Sequence, residues 1–153
     1  LSSALSEISR HYSYIIIDCP PSLGVLTLNG LCASDAVIIP MQCEYYALEG
    51  LSQLTATVQQ VKKLYNPRLT IGGILITMYN GRLNLTGQVI DELIKYYPDK
   101  LFKTYIGRNV RLSEAPSYGM PAMYYDSSSS GAIAYRELCA EFMERIPAPG
   151  FPR

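Results

Sequence analysis

The stretch Tyr14-Ile15-Ile16-Ile17-Asp18-Cys19-Pro20-Pro21-Ser22 decides the fold class. Its apolar run, with three consecutive isoleucines, is too short for a helix and lacks polar alternation, the pattern of a strand buried on both faces. Cys19-Pro20-Pro21 ends the run, because proline has no amide to give to a ladder. A strand of this kind belongs in a parallel sheet with helices on both sides.

The flanking sequence supplies the rest of such a sheet. Upstream, Leu1, Ala4, Leu5 and Ile8 recur at helical spacing, so the first twelve residues predict a helix. Downstream, residues 23 to 33 predict a helix and Ala36-Val37-Ile38-Ile39-Pro40 a second buried strand. Residues 47 to 65 repeat Leu48, Leu51, Leu54, Val58, Val61 and Leu64 along one helical face until Asn66-Pro67 stops them. Ile71 to Thr77 predicts a third strand, residues 84 to 97 a helix with Leu85, Val89, Leu93 and Ile94 inward, and residues 102 to 106 a fourth strand. A short helix near 111 to 115, an extended piece at 122 to 125 and a last helix over 130 to 145, with Ser128, Ser129 and Ser130 as candidate caps, complete the order. Strands separated by helix-length crossovers predict an α/β protein: a mostly parallel sheet with helices on both faces, in three layers. Residues 1–146 read as one domain and 147–153 as a loose Pro/Gly-rich tail.

Composition narrows the function. The 153 residues are 48% hydrophobic and 17% charged, which excludes a disordered chain, and the net charge of zero excludes a globally basic coat. The charge is unevenly spread: residues 1–60 carry one base and five acids, whereas 61–115 carry nine bases and four acids. That asymmetry points to a basic face for a polyanion or to a solvated surface. No apolar run reaches the roughly 18 residues of a membrane helix. Cys19, Cys32, Cys43 and Cys139 show no metal-ligand spacing, and with His11 as the lone histidine they read as packing thiols in a reducing compartment.

Ligands of an open parallel sheet bind outside the carboxyl ends of its strands. The residues there are Asp18 with Pro20 and Pro21, Pro40 with Gln42 and Glu44, the loop from Thr77 to Arg82, and Arg108, Asn109 and Arg111. An aspartate placed like Asp18 suits a Walker B carboxylate, which holds Mg²⁺ directly or through water. It equally suits a turn residue or helix cap. The two prolines stiffen the exit loop.

The segment from Tyr14 to Ser22 resembles the Walker B and switch II segment of the ParA/Soj/MinD-type P-loop ATPases, and of ParA/Soj above all. The resemblance continues through Pro40-Met-Gln-Cys-Glu-Tyr-Tyr-Ala-Leu-Glu-Gly-Leu51, Leu75-Ile-Thr-Met-Tyr79, Arg108-Asn-Val-Arg-Leu-Ser-Glu-Ala-Pro116 and Gly131-Ala-Ile-Ala-Tyr135, in order and at the right spacing. It implies a P-loop NTPase-like fold and a bacterial, cytoplasmic, nucleoid-associated chromosome- or plasmid-partitioning ATPase. Such a protein forms an ATP-dependent homodimer, binds DNA without sequence preference and is stimulated by a ParB-type partner. By position, the resemblance gives Asp18 the Walker B role near Mg²⁺, through water, and Pro20 and Pro21 the switch II role. Met78, Tyr79, Asn80 and Arg108 fall on the nucleotide-base pocket, and Arg82 and Arg111 on DNA-contacting positions. For each of those two arginines the other reading is an exposed charge or a carboxylate partner. Asn80 stands where the family usually has Asp, Gly107 where it has Pro, and Ser127 and Ser130 where it has Pro and Arg. A MinD-like membrane role is not expected from a Pro/Gly-rich tail, so no stable membrane anchoring is foreseen.

A phosphate loop needs Gly-x4-Gly-Lys-Ser/Thr, and none of the five lysines here follows a glycine. The resemblance places that loop, and the strand leading into it, upstream of Leu1. The sheet is therefore expected to be incomplete at its amino-terminal side, with ATP and Mg²⁺ belonging to the complete protein and neither held tightly by this chain. Without that loop the chain alone is expected not to hydrolyse ATP. The other reading is a stand-alone DNA- or partner-binding module without ATPase activity.

Overall fold

Two β-branched runs form the sheet. In the computed structural model, which describes residues 1–148, β1 (Ala36–Gln42) and β2 (Thr70–Thr77) pair in parallel, Ile39 opposite Ile74 and Met41 opposite Ile76. Pro40 is tolerated because β1 is an edge strand among the described residues. Residues 101–107 run along the other side of β2 through isolated parallel bridges, Ile74 with Leu101 and Tyr79 with Gly107. The Phe102 amide donates to the Ile74 carbonyl at 2.9 Å and the Ile106 amide to the Ile76 carbonyl at 2.9 Å. The fourth strand expected from sequence is thus a loosely laddered neighbour of β2 rather than a regular strand.

Helices cover both faces, as the sequence predicts. They are α1 (Ser2–Ile8), α2 (Val25–Ala33), α3 (Ala47–Leu64), α4 (Asn84–Tyr96), α5 (Val110–Glu114), α6 (Ala122–Tyr125) and α7 (Ser130–Arg145). Strand alternation sends Ile39, Met41, Ile74 and Ile76 to one face, where they meet Leu51 of α3 and Val89 and Leu93 of α4. Leu75 points to the other face, against Phe102, Ile106 and the α7 residues Leu138 and Phe142. A third cluster joins Leu31 of α2 to Val58 and Val61 of α3 and to Leu69. The α3 and α4 stripes are narrower than predicted, for Leu64, Leu85 and Ile94 are exposed.

Gly73 is required by this packing: a Cβ there would lie 2.3 Å from the Phe102 ring. On the same element, Glu141 of α7 accepts the Lys103 amide at 2.8 Å and the Thr104 amide at 2.9 Å. Arg145 pairs with Glu141 at 3.0 Å, donates to the Leu101 carbonyl at 2.6 Å and lies 4.6 Å from the Phe102 ring centroid. This staple holds residues 101–104 against α7.

Three local expectations are corrected. Tyr14 to Asp18 forms no ladder, and Ile16 is 87% exposed. A strand exists only through a hydrogen-bonded neighbour, and none of the described residues supplies one. The extended piece at 122 to 125 is the single turn α6, because the Pro121 carbonyl accepts the Tyr124 and Tyr125 amides. Only Cys32 and Cys43 pack partly inside, whereas Cys19 and Cys139 are exposed. Of the tail read as loose, Ala148 is buried, and residues 149–153 lie outside the described residues.

Candidate nucleotide and nucleic-acid site

Asp18 lies on an unladdered segment that is anchored on both sides. The Tyr14 hydroxyl donates to the Ile146 carbonyl at 2.8 Å, and the Ile146 side chain reaches Gly72 beside Ile38, near the amino ends of the strands. Five residues after Tyr14, Cys19 lies against Gly30 of α2. The proline loop is pinned by Thr27, whose hydroxyl donates to the Ser22 carbonyl at 2.6 Å and faces the Pro20 carbonyl at 3.3 Å. Asp18, Pro20 and Pro21 are exposed, and Asp18 makes no hydrogen bond or ion pair with any described residue.

The loop after β2 is built more tightly. Met78 adopts φ 51°, a left-handed conformation that non-glycine residues seldom take and that concentrates at functional sites. The Tyr79 amide then donates to the Ile106 carbonyl at 3.0 Å, and its ring packs on Tyr105 with centroids 5.1 Å apart. Asn80 accepts the Arg82 amide on its side-chain oxygen at 3.1 Å, an Asx turn that projects the exposed Arg82. The Tyr79–Gly107 bridge brings this loop next to Arg108. The structure therefore unites Met78, Tyr79, Asn80, Arg82 and Arg108 at one end of the sheet, and ties none of them to Asp18 by a hydrogen bond.

Arg111 is the second residue of α5. Asn109 caps α5 by accepting the Arg111 amide at 2.9 Å, and its side-chain amide donates to the Ser130 hydroxyl at 2.8 Å, joining α5 to the start of α7. The Arg111 guanidinium is doubly paired, with Glu114 at 2.9 Å and Asp126 at 3.3 Å. The Tyr125 hydroxyl donates to the same Glu114 oxygen at 3.2 Å, and its ring stacks on Tyr118. The hydrogen bond that Arg111 donates to Glu114 raises the Arg111 pKa above its ordinary value. Hydrogen bonds from Ser128 hold the Asp126 carboxyl below its ordinary value, and the Arg111 charge adds to this. The carboxylate-partner reading of Arg111 thus describes this conformation. Arg82 and Arg108 have no carboxylate within 4 Å among the described residues.

Sequence reasoning missed Glu114 and Asp126. Glu114 was legible as a helical i, i+3 partner, whereas Asp126 meets Arg111 only through the fold. It also missed a groove of about 420 Å³ along the free edge of β1, between Pro40, Gln42, Tyr46, Gly50 and Leu54.

As a metal site Asp18 fits one role. Among the described residues no three His, Cys, Asp or Glu side chains gather to hold an ion. Mg²⁺ is commonly held by one or two carboxylates together with water and substrate phosphates, so a single exposed aspartate is a compatible donor where phosphates are supplied beside it.

The fold and these loops define a P-loop NTPase-like α/β protein. Cobyrinic acid a,c-diamide synthase from Mycobacterium smegmatis, solved with a bound ATP analog and magnesium, superposes with a TM-score of 0.72 at 34% identity, covering 99% of this chain and 56% of that one. A plasmid partition protein from Borrelia burgdorferi shares the fold, with a TM-score of 0.64 at 23% identity over 95% of this chain and 54% of that one. An AAA domain family model matches residues 1–71.

In sequence the chain is similar to ParA and Soj proteins along nearly its whole length. It is 59% identical over 141 residues to the sporulation initiation inhibitor protein Soj of Bacillus subtilis, covering 92% of this chain and 56% of that protein. It is 52% identical over 153 residues to the chromosome partitioning protein ParA of Myxococcus xanthus, covering 100% and 54%. The chromosome-partitioning ATPase Soj of Treponema pallidum is 50% identical over 145 residues, covering 95% and 57%. The chain spans about half the length of the curated relatives it matches. No helix among the described residues is long and apolar enough to cross a membrane.

Proposed function

We propose that this chain is the part of a chromosome- or plasmid-partitioning ATPase that carries switch II, part of the base pocket and the DNA-facing arginines. The observation that carries the reading is identity of 50–59% along nearly the whole chain to Soj and ParA proteins. The basic loops at one end of the sheet support it.

In this reading residues 1–146 belong to one ATPase domain. Asp18 orients a water of the Mg²⁺ shell, and Mg²⁺ neutralises phosphate charge when bound. Pro20 and Pro21 stiffen the loop that follows, so a displacement at Asp18 passes to α2 through the Thr27 pin rather than dissipating. Met78, Tyr79, Asn80 and Arg108 wall the nucleotide base. The phosphate cradle comes from the half of the relatives' length that this chain does not span. ATP-bound homodimers then bind duplex DNA of the nucleoid in the cytoplasm through Arg82 and Arg111, without reading base edges. A ParB-type partner triggers hydrolysis and release.

The test is charge reversal in the complete protein. Arg82→Glu with Arg111→Glu abolishes non-specific duplex binding and leaves ATP-dependent dimerisation in place. Unchanged affinity and salt dependence reject the DNA assignment. For this chain by itself no ATP turnover is expected, and saturable Mg²⁺-dependent hydrolysis by the pure 153-residue polypeptide overturns that part.

A further inference from the structure

The loop between α6 and α7 gathers two guanidinium groups from different elements. Arg111 arrives from α5 and meets Asp126 at 3.3 Å. Arg136 reaches back from the second turn of α7, its Nη2 donating to the Ser127 carbonyl at 2.8 Å. Asp126 and Ser127 are adjacent, so both arginines sit on one short stretch of backbone. Asn109 locks that stretch to α5 through Ser130.

Their electrostatic situations differ. Arg111 is neutralised by two carboxylates, whereas no carboxylate of a described residue lies within 4 Å of Arg136. Arg136 is exposed, so packing does not account for it. Helix stability does not account for it either, because the second turn of the 16-residue α7 lies beyond the reach of the terminal dipole. The Ser127 carbonyl occupies one of five guanidinium N–H groups and fixes the plane of the fork, leaving the others for a second acceptor. A pre-oriented planar cation with free donors suits a phosphate diester, which Arg can engage through two parallel bonds.

We propose that Arg136 is a third DNA-backbone ligand, beside Arg111 on the same loop, and that it is the cation there free to engage phosphate without first leaving a carboxylate. The proposal rests on the reading that this end of the molecule faces DNA. It assigns a residue that neither the charge pattern nor the family resemblance singled out.

The experiment measures binding of a random-sequence duplex by fluorescence anisotropy across a salt series, using the complete ATP-bound protein. Wild type, Arg136→Ala, Arg136→Lys, Arg82→Ala and Arg111→Ala are compared, with melting curves as the control for folding. Arg136→Ala should lower affinity and flatten the log K against log salt plot by about 0.9 for each phosphate it no longer neutralises. Arg136→Lys should keep most of the slope, since the charge remains. If Arg82→Ala and Arg111→Ala flatten the plot while Arg136→Ala matches wild type, the Arg136 inference fails alone. If none of the three alanine variants changes slope or affinity, the DNA-facing reading itself fails.

Discussion

The guanidinium of Arg111 and the carboxylate of Asp126 lie 3.3 Å apart, Nε to Oδ2, although Arg111 sits in α5 and Asp126 follows α6, with the 3₁₀ turn Ala115–Tyr118 between the two helices. Together with Glu114 this makes an arginine assigned to DNA into one already held by the protein. The two uses compete, because a guanidinium leaves one anion to bind another. Salt weakens both, and the DNA contact the more steeply, because neutralising phosphates releases counterions.

Removing the competing charges should therefore strengthen DNA binding. In the complete protein, Glu114→Gln with Asp126→Asn is expected to raise duplex affinity a few-fold at low salt, and the gain should vanish when Arg111→Ala is added. Anisotropy titrations of the four combinations check this. Equal affinity for the double variant and wild type would show that the carboxylates do not hold Arg111 back.

The Glu141 staple should matter for stability. Its side chain is 14% exposed and accepts two backbone amides besides pairing with Arg145. Glu141→Ala strands those donors and is expected to cost about 2 kcal/mol, the scale of a hydrogen bond to a charged group. Urea unfolding of the complete protein measures it, and Glu141→Gln, which keeps one acceptor, should lose less.

The same carboxylate gives an acid limb. Burial pushes the Glu141 pKa up, but the Lys103 and Thr104 amides and the Arg145 charge outweigh it and leave it below the ordinary 4.5. A depressed folded-state pKa contributes stability that is present above the unfolded value and is lost as pH falls through the folded one. Melting temperature should thus drop as pH is taken from about 5 to below 4, and Glu141→Gln should shrink that drop. A parallel decline in both proteins would place the acid sensitivity elsewhere.

Gly73 and Phe102 share one volume. Gly73→Ala puts a methyl 2.3 Å from a ring that is 1% exposed, and overpacking of this kind costs about 1–3 kcal/mol. Adding Phe102→Leu should recover part of the loss. Thermal melts of the two single variants and the pair form the cycle, and strict additivity would contradict the close approach.

For Asp18 the expected loss is catalytic. Asp18→Asn keeps the shape and removes the charge, so the complete protein should fold and melt normally while Mg²⁺-dependent ATP turnover falls by about 10²-fold or more, the scale of removing one transition-state stabilising group. Turnover near wild type would return Asp18 to the role of a turn residue.

Much of the fold was legible because its signals are local. The isoleucines of β1 and β2, the Leu51, Val58 and Val61 stripe of α3 and the serine cap of α7 occupy positions the sequence predicts, and Ser129 does accept the Ala132 amide at 3.2 Å. Reading failed where the deciding partner lies elsewhere. Tyr14 to Asp18 has the composition of a strand without the neighbour that would make it one. Residues 122 to 125 look extended until Pro121 is seen receiving two amides. Leu85 and Ile94 fit a helical stripe with Val89 and Leu93, yet α4 buries Val89 and Leu93 together with Thr86 and leaves the other two exposed.

The site divides in the same way. Residue type and order placed the loop from Met78 to Arg82 just beyond the carboxyl end of β2, since chain order and side-chain period are properties of the sequence. Only the tertiary structure decided what each charge meets. It pairs Arg111 with Glu114 and Asp126 and leaves Arg82, Arg108 and Arg136 without a carboxylate among the described residues. Coulombic partnership depends on distances of a few ångströms between residues far apart in the chain, and those distances exist only once the sheet and helices have packed.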